Sequence, residues 1–134
     1  MIKLKLIFAI LTLFSITVSA VDEPQIEHGV LDLRDGGLDA YSEIDLTGEW
    51  ELYWGELLDF ADFVEDSSLQ PTAFIRVPQV WNTLLVDSVF LPAHGYGTYR
   101  LRVYLDRVDE PLALKFGSIS TAFTLYVNDT LIRE

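Results

Sequence analysis

The segment Gly48-Glu49-Trp50-Glu51-Leu52-Tyr53-Trp54 constrains the fold more than any other stretch of the chain. Side chains on extended backbone point alternately to opposite faces, so this spacing places Trp50, Leu52 and Trp54 on one side and Glu49, Glu51 and Tyr53 on the other. Two indoles and a leucine in a row require a core to cover them. The reading is therefore a strand with one buried face, its tryptophans packed inside and its two glutamates turned to water.

The same period recurs along the chain. Tyr99, Leu101, Val103 and Leu105 share a face over residues 97–105, with Thr98, Arg100, Arg102 and Tyr104 opposite. Leu112, Leu114 and Phe116 form a further alternation, and Phe123, Leu125 and Val127 another. Shorter extended pieces are expected at 29–33, with Val30 inward and Leu31 or Leu33 as further inward candidates, and at 73–77, where Pro78 ends the run because proline cannot donate to a ladder. Arg34-Asp35-Gly36-Gly37 and Asn128-Asp129 have turn chemistry, the latter suited to a tight hairpin. Between 55 and 65 the period changes. Leu57, Phe60 and Val64 recur at three and four, which predicts one short helix near 56–64, ended by Asp66-Ser67-Ser68. Trp81-Asn82 opens a loop expected to run to about Gly97. Several short strands with turns between them and one brief helix predict an all-β sandwich.

The first twenty residues read differently. Lys3 and Lys5 precede an apolar run from Leu6 to Val18, and Val18-Ser19-Ala20 has the small residues of a cleavage site. This run of thirteen residues, interrupted by Thr12, Ser15 and Thr17, spans about 20 Å as a helix, short of a hydrocarbon core of about 30 Å. The expected organisation is a signal peptide over 1–20, a polar lead-in over 21–28 and one domain over 29–134. Export to the periplasm or the extracellular face follows. No later apolar stretch reaches eighteen residues. The chain has no cysteine, which excludes disulfides, thiolate chemistry and a lipoprotein anchor.

Of 134 residues, 9 are basic and 21 acidic, a net charge of −12. Without Lys3 and Lys5 the balance is 7 against 21, or −14. Such a field repels phosphates, so a nucleic-acid partner is not expected. His28 and His94 have no metal-ligand spacing, and no nucleophile-elbow, phosphate-loop or dinucleotide motif occurs. Glu49 and Glu51 sit two apart on one strand face rather than across a cleft, as a glycosidase pair requires. No catalytic residue, metal or cofactor is expected.

Four segments together resemble a known family. Thr47-Gly48-Glu49-Trp50-Glu51-Leu52-Tyr53-Trp54, Val77-Pro78-Gln79-Val80-Trp81-Asn82, Gly95-Tyr96-Gly97-Thr98-Tyr99-Arg100-Leu101 and Ala122-Phe123-Thr124-Leu125-Tyr126-Val127-Asn128 occur in this order. They resemble the N-terminal extracellular domain of bacterial seven-transmembrane signalling receptors with diverse intracellular modules. The resemblance covers about residues 29–133. It implies a galactose-binding-like jelly roll that senses a carbohydrate or related small molecule. The sugar-binding domain of family 2 glycoside hydrolases is a looser match, and a secreted interaction module without a small ligand is the third reading.

The resemblance implies more chain than is present here. Asp129 stands where the family has a glycine. Further strands, seven membrane helices and a cytoplasmic output module would follow residue 134, so a jelly roll incomplete at its C-terminus, in a truncated frame or fragment, is the expectation. Uncovered strand edges and inner faces then predict that the mature chain alone is poorly soluble or oligomeric, measurable by sedimentation. A monodisperse monomer would contradict this. Carbohydrate sites combine an aromatic face with a few polar groups on a loop rim. The 81–96 loop offers Asn82, His94 and Tyr96 as ligand-binding candidates, while Trp81 is expected to pack against the end of the sandwich.

Overall fold

The computed structural model describes residues 23–34, 43–106, 111–117, 119 and 121–133. The leader, its cleavage site and most of the expected 34–37 turn lie outside the described residues.

The described residues are mostly strands, with one short α-helix and one 3-10 turn, an all-β class. In chain order they are β1 (Val30–Asp32), β2 (Gly48–Trp54), α1 (Phe60–Glu65), β3 (Ala73–Val77), the 3-10 turn Trp81–Thr83, β4 (Leu85–Val86), β5 (Val89–Phe90), β6 (Gly97–Arg100), β7 (Arg102–Tyr104), β8 (Leu125–Val127) and β9 (Thr130–Arg133). Among the described residues no helix is long and apolar enough to cross a membrane.

β2 is the spine. It lies between β3 and β6, antiparallel to both, with Trp50 opposite Ile75 and Leu52 opposite both Ala73 and Tyr99. Leu52 and Ile75 are buried, as the alternation requires. The opposite face departs from the expectation. Glu51 and Tyr53 are also buried, whereas Trp50 and Trp54 are only partly covered. A central strand is covered on both faces wherever other elements reach it. Here α1 lays Phe63 against Tyr53, with ring centroids 5.2 Å apart, and the chain around Gly29 covers Glu51.

The expected 97–105 strand exists in two parts. It leaves β2 after Arg100, and beyond Leu101 it pairs in parallel with β1, Val30 opposite Arg102. Residues 26–29 fill the place it vacates. Gly29 N donates to Glu49 O at 2.8 Å, Glu49 N to Ile26 O at 3.3 Å, and Arg102 N to Gly29 O at 2.9 Å. The switch carries Leu101 and Leu105 onto a cluster of Ile26, Leu31 and Leu33, where Ile44, Leu46 and Trp50 also pack. Ile26, from the polar lead-in, is thus part of the core. Val103 is exposed.

The helix is shorter than its apolar spacing suggests. Asp59 caps it, accepting from the Ala61 and Asp62 amides, while Asp62 accepts from the Asp59 amide in return. Such a cap is worth about 1 kcal/mol and fixes the first turn at Phe60. The expected Leu57–Phe60–Val64 stripe is exposed, and Phe63 is the side chain that turns inward. With six residues, α1 has too few turns to present a stripe.

Two hairpins complete the description. β4 and β5 are joined by Asp87 and Ser88, both with positive φ (49° and 67°), the backbone of a tight turn whose twist matches its strands. This hairpin lies inside what the sequence reads as one loop. β8 and β9 form the expected hairpin at Asn128-Asp129. Only Asn128 has positive φ (54°), so aspartate at 129 meets no backbone strain. The alternation at 112–116 forms no strand: Leu112, Leu114 and Phe116 are exposed and pair with nothing among the described residues.

Candidate functional site

Three of the four sequence segments meet at the Trp54 end of β2. The Trp54 and Trp81 rings lie 5.4 Å apart, tilted by 58°. Gly95 sits against the Trp54 indole so closely that a β-carbon there would overlap the ring. Gly97, opposite Trp54 in the ladder, lies so near Tyr53 O that its β-carbon would come within 2.9 Å. Gly55 N donates to Tyr96 O at 2.9 Å and Trp81 Nε1 to Pro92 O at 3.0 Å. Glycines at 95 and 97 are therefore needed for close approach. Together these contacts tie both ends of the 81–96 segment to a strand of the central sheet.

On this frame Asn82 lies in the 3-10 turn and is exposed, as are His94 in the following bend and Tyr96 just before β6. Tyr96 is 56% exposed, so its ring is available rather than packed. None of the three side chains hydrogen-bonds to another among the described residues. They share one loop segment, with no ring contact among them in the described residues. Trp81 is partly covered and packs on the Trp54 ring.

On the face of β2 opposite Trp54 lies a charged cluster around Glu51, a side chain that the sequence reading turned to water. Glu51 is only 2% exposed. Its Oε2 accepts from Arg100 Nε and, at 3.1 Å, from the Tyr53 hydroxyl, while Oε1 accepts from Arg102 Nη2 at 2.9 Å. The Arg100 guanidinium also sits 4.0 Å from the centroid of Phe63 and 5.5 Å from that of Tyr53. Burying a carboxylate is tolerable only when its lone pairs are satisfied, and here no buried side-chain polar atom lacks a partner among the described residues. The sequence signal was present: Arg100 and Arg102 alternate on one face, as do Glu49 and Glu51. The Glu51–Arg100 register that joins the two rows is long-range and not local to either.

Burial pushes the Tyr53 hydroxyl up to about 12, and the Glu51 charge adds to the rise against an opposing pull from Arg100 and Arg102. Burial also raises Tyr99. The folded value of Tyr53 exceeds the ordinary one near 10, so its stabilising contribution is complete below pH 10 and is lost as pH climbs through about 12. An alkaline titration followed by tyrosinate absorbance is expected to show a late step near pH 12 that Tyr53→Phe removes. A Tyr53→Phe curve identical to that of the parent would contradict the placement.

No family model matches the chain, and no curated protein or solved structure does either.

Proposed function

We propose that this chain is the extracytoplasmic ligand-sensing domain of a bacterial signal-transduction receptor, folded as a galactose-binding-like jelly roll and binding a carbohydrate or related small molecule. The observation that carries the reading is the Trp54–Trp81–Gly95 hub. It anchors a loop rim while leaving an aromatic ring, an imidazole and an amide of that rim in solvent. A rigid base with exposed Tyr96, His94 and Asn82 suits stacking on a sugar face and bonding to its hydroxyls. The domain is proposed to be non-catalytic. Both oxygens of its buried carboxylate are engaged by arginines, and Glu49 is exposed, so neither glutamate is set as an acid or nucleophile across a cleft. Signalling in such a receptor is a population shift: the ligand binds one arrangement of the rim better and biases the membrane segments attached to it.

A calorimetric titration against a panel of mono- and oligosaccharides tests this. One sugar class is expected to bind, and Tyr96→Ala is expected to weaken it about tenfold, the loss of one aromatic stack. Tyr96 is exposed, so the variant is expected to melt within about 0.5 kcal/mol of the parent. Heatless titrations across the panel, or binding untouched by Tyr96→Ala, would overturn the reading.

A further inference from the structure

A second concavity lies at the other end of β2, beside Gly48. It is a groove of about 370 Å³ lined by Gln25, Glu27, His28, Thr47, Glu49 and Arg76, among others. β2 is seven residues long, so this groove lies roughly 20 Å along the strand from Trp54. It shares none of the rim residues.

Its walls are fixed. Glu27 N donates to Val30 O at 3.1 Å and Val30 N to Glu27 O at 3.0 Å, closing a two-residue turn. His28 and Gly29 occupy that turn with φ of 48° and 71°. A left-handed histidine is uncommon, and this one is held in place. Its ring meets Phe74 edge-on at 4.9 Å, and its amide donates to Glu49 Oε2 at 3.5 Å. The Gly29 amide bond to Glu49 O fastens the turn to β2.

The charges lining this groove are not matched to one another. Arg76 is the direct cross-strand partner of Glu49, yet the two form no ion pair. Among the described residues the Arg76 guanidinium makes no hydrogen bond or salt bridge at all. The Glu27 carboxylate has no partner either, and Glu49 receives only the long bond from the His28 amide. Elsewhere among the described residues Arg100 and Arg102 hold Glu51, Arg34 holds Asp32, and Arg133 lies over the Phe123 ring. The Arg76 guanidinium and the Glu27 and Glu49 carboxylates are thus all solvent-exposed on one walled groove, open to a small molecule carrying both signs.

We propose that this groove binds a small zwitterion of the α-amino-acid class. Its carboxylate is received by Arg76 and its ammonium by Glu27 and Glu49. A planar guanidinium suits a carboxylate, and two acceptors suit an ammonium with three donors. A neutral sugar would gain none of these charge-assisted contacts.

The probe is L-alanine, with propionate and ethylamine as its singly charged halves, titrated into the isotope-labelled protein and followed by amide resonances. L-alanine is expected to shift residues 25–28, 47–49 and 76 saturably. Each half-molecule is expected to bind about tenfold more weakly or worse, since each loses one charge-assisted contact. Arg76→Ala is expected to abolish the alanine response, and Arg76→Lys to restore part of it. Tyr96→Ala is expected to leave it unchanged, which separates this site from the carbohydrate reading. The absence of a saturable alanine shift would overturn the proposal. So would equal binding of propionate, which would mark a plain anion site, or an Arg76→Ala variant that binds as the parent does.

Discussion

Glu51→Ala is expected to destabilise the domain by about 3 kcal/mol in urea denaturation, the low end of the cost of breaking a buried ion pair. The carboxylate is 3% exposed, while the Arg100 and Arg102 side chains are 24% and 45% exposed. Removing Glu51 strands Arg100 against the faces of Phe63 and Tyr53, where water reaches it poorly. Arg102 can turn outward, which is why the low end applies. The Tyr53 hydroxyl also loses its acceptor. Glu51→Gln keeps an acceptor but loses the charge, so a smaller loss is expected. A Glu51→Ala cost under about 1 kcal/mol would mean that both guanidinium groups reach solvent freely, as exposed pairs do.

Gly95→Ala is expected to cost about 1–3 kcal/mol, the range for overpacking a filled site. The new methyl would overlap the edge of the Trp54 indole, a rigid ring already packed on Trp81. Either the indole or the 93–96 backbone must move, and both moves loosen the rim that carries His94 and Tyr96. Ligand affinity is therefore expected to fall together with stability, unlike in Tyr96→Ala. The double variant Trp54→Ala/Gly95→Ala provides the check. With the indole gone the methyl has room, so the two costs are expected to be clearly less than additive. Strict additivity would show that Gly95 does not owe its smallness to Trp54.

The legible parts of this fold were those fixed by local alternation. Leu52 is buried, Pro78 ends its strand, and the Asn128-Asp129 turn joins β8 to β9, all as period and turn chemistry indicate, whereas at 29–33 it is Leu31 and Leu33 that are buried and Val30 is only partly covered. What failed depended on partners distant in sequence. Glu51 could be buried only because β6 brings Arg100 opposite it. The 97–105 row changed partners at Leu101 because residues 26–32 took the neighbouring lane, and nothing within the row signals that. The 57–64 stripe misled for a local reason: the Asp59–Asp62 capping box starts the helix late and leaves Phe63 as its inward side chain. At the candidate site, the packed role that the resemblance implies for Trp81 agrees with its contact with Trp54. The Gly95 contact and the groove beside Gly48 were not legible there, since both join segments far apart in the chain.

Mapping where a sugar lands decides the account most directly. The isotope-labelled protein, titrated with whichever carbohydrate binds calorimetrically, is expected to show saturable amide shifts concentrated between Asn82 and Tyr96, with residues 25–28 and 76 silent. Shifts centred on the Gly48 end of β2, or none at any concentration, would contradict it.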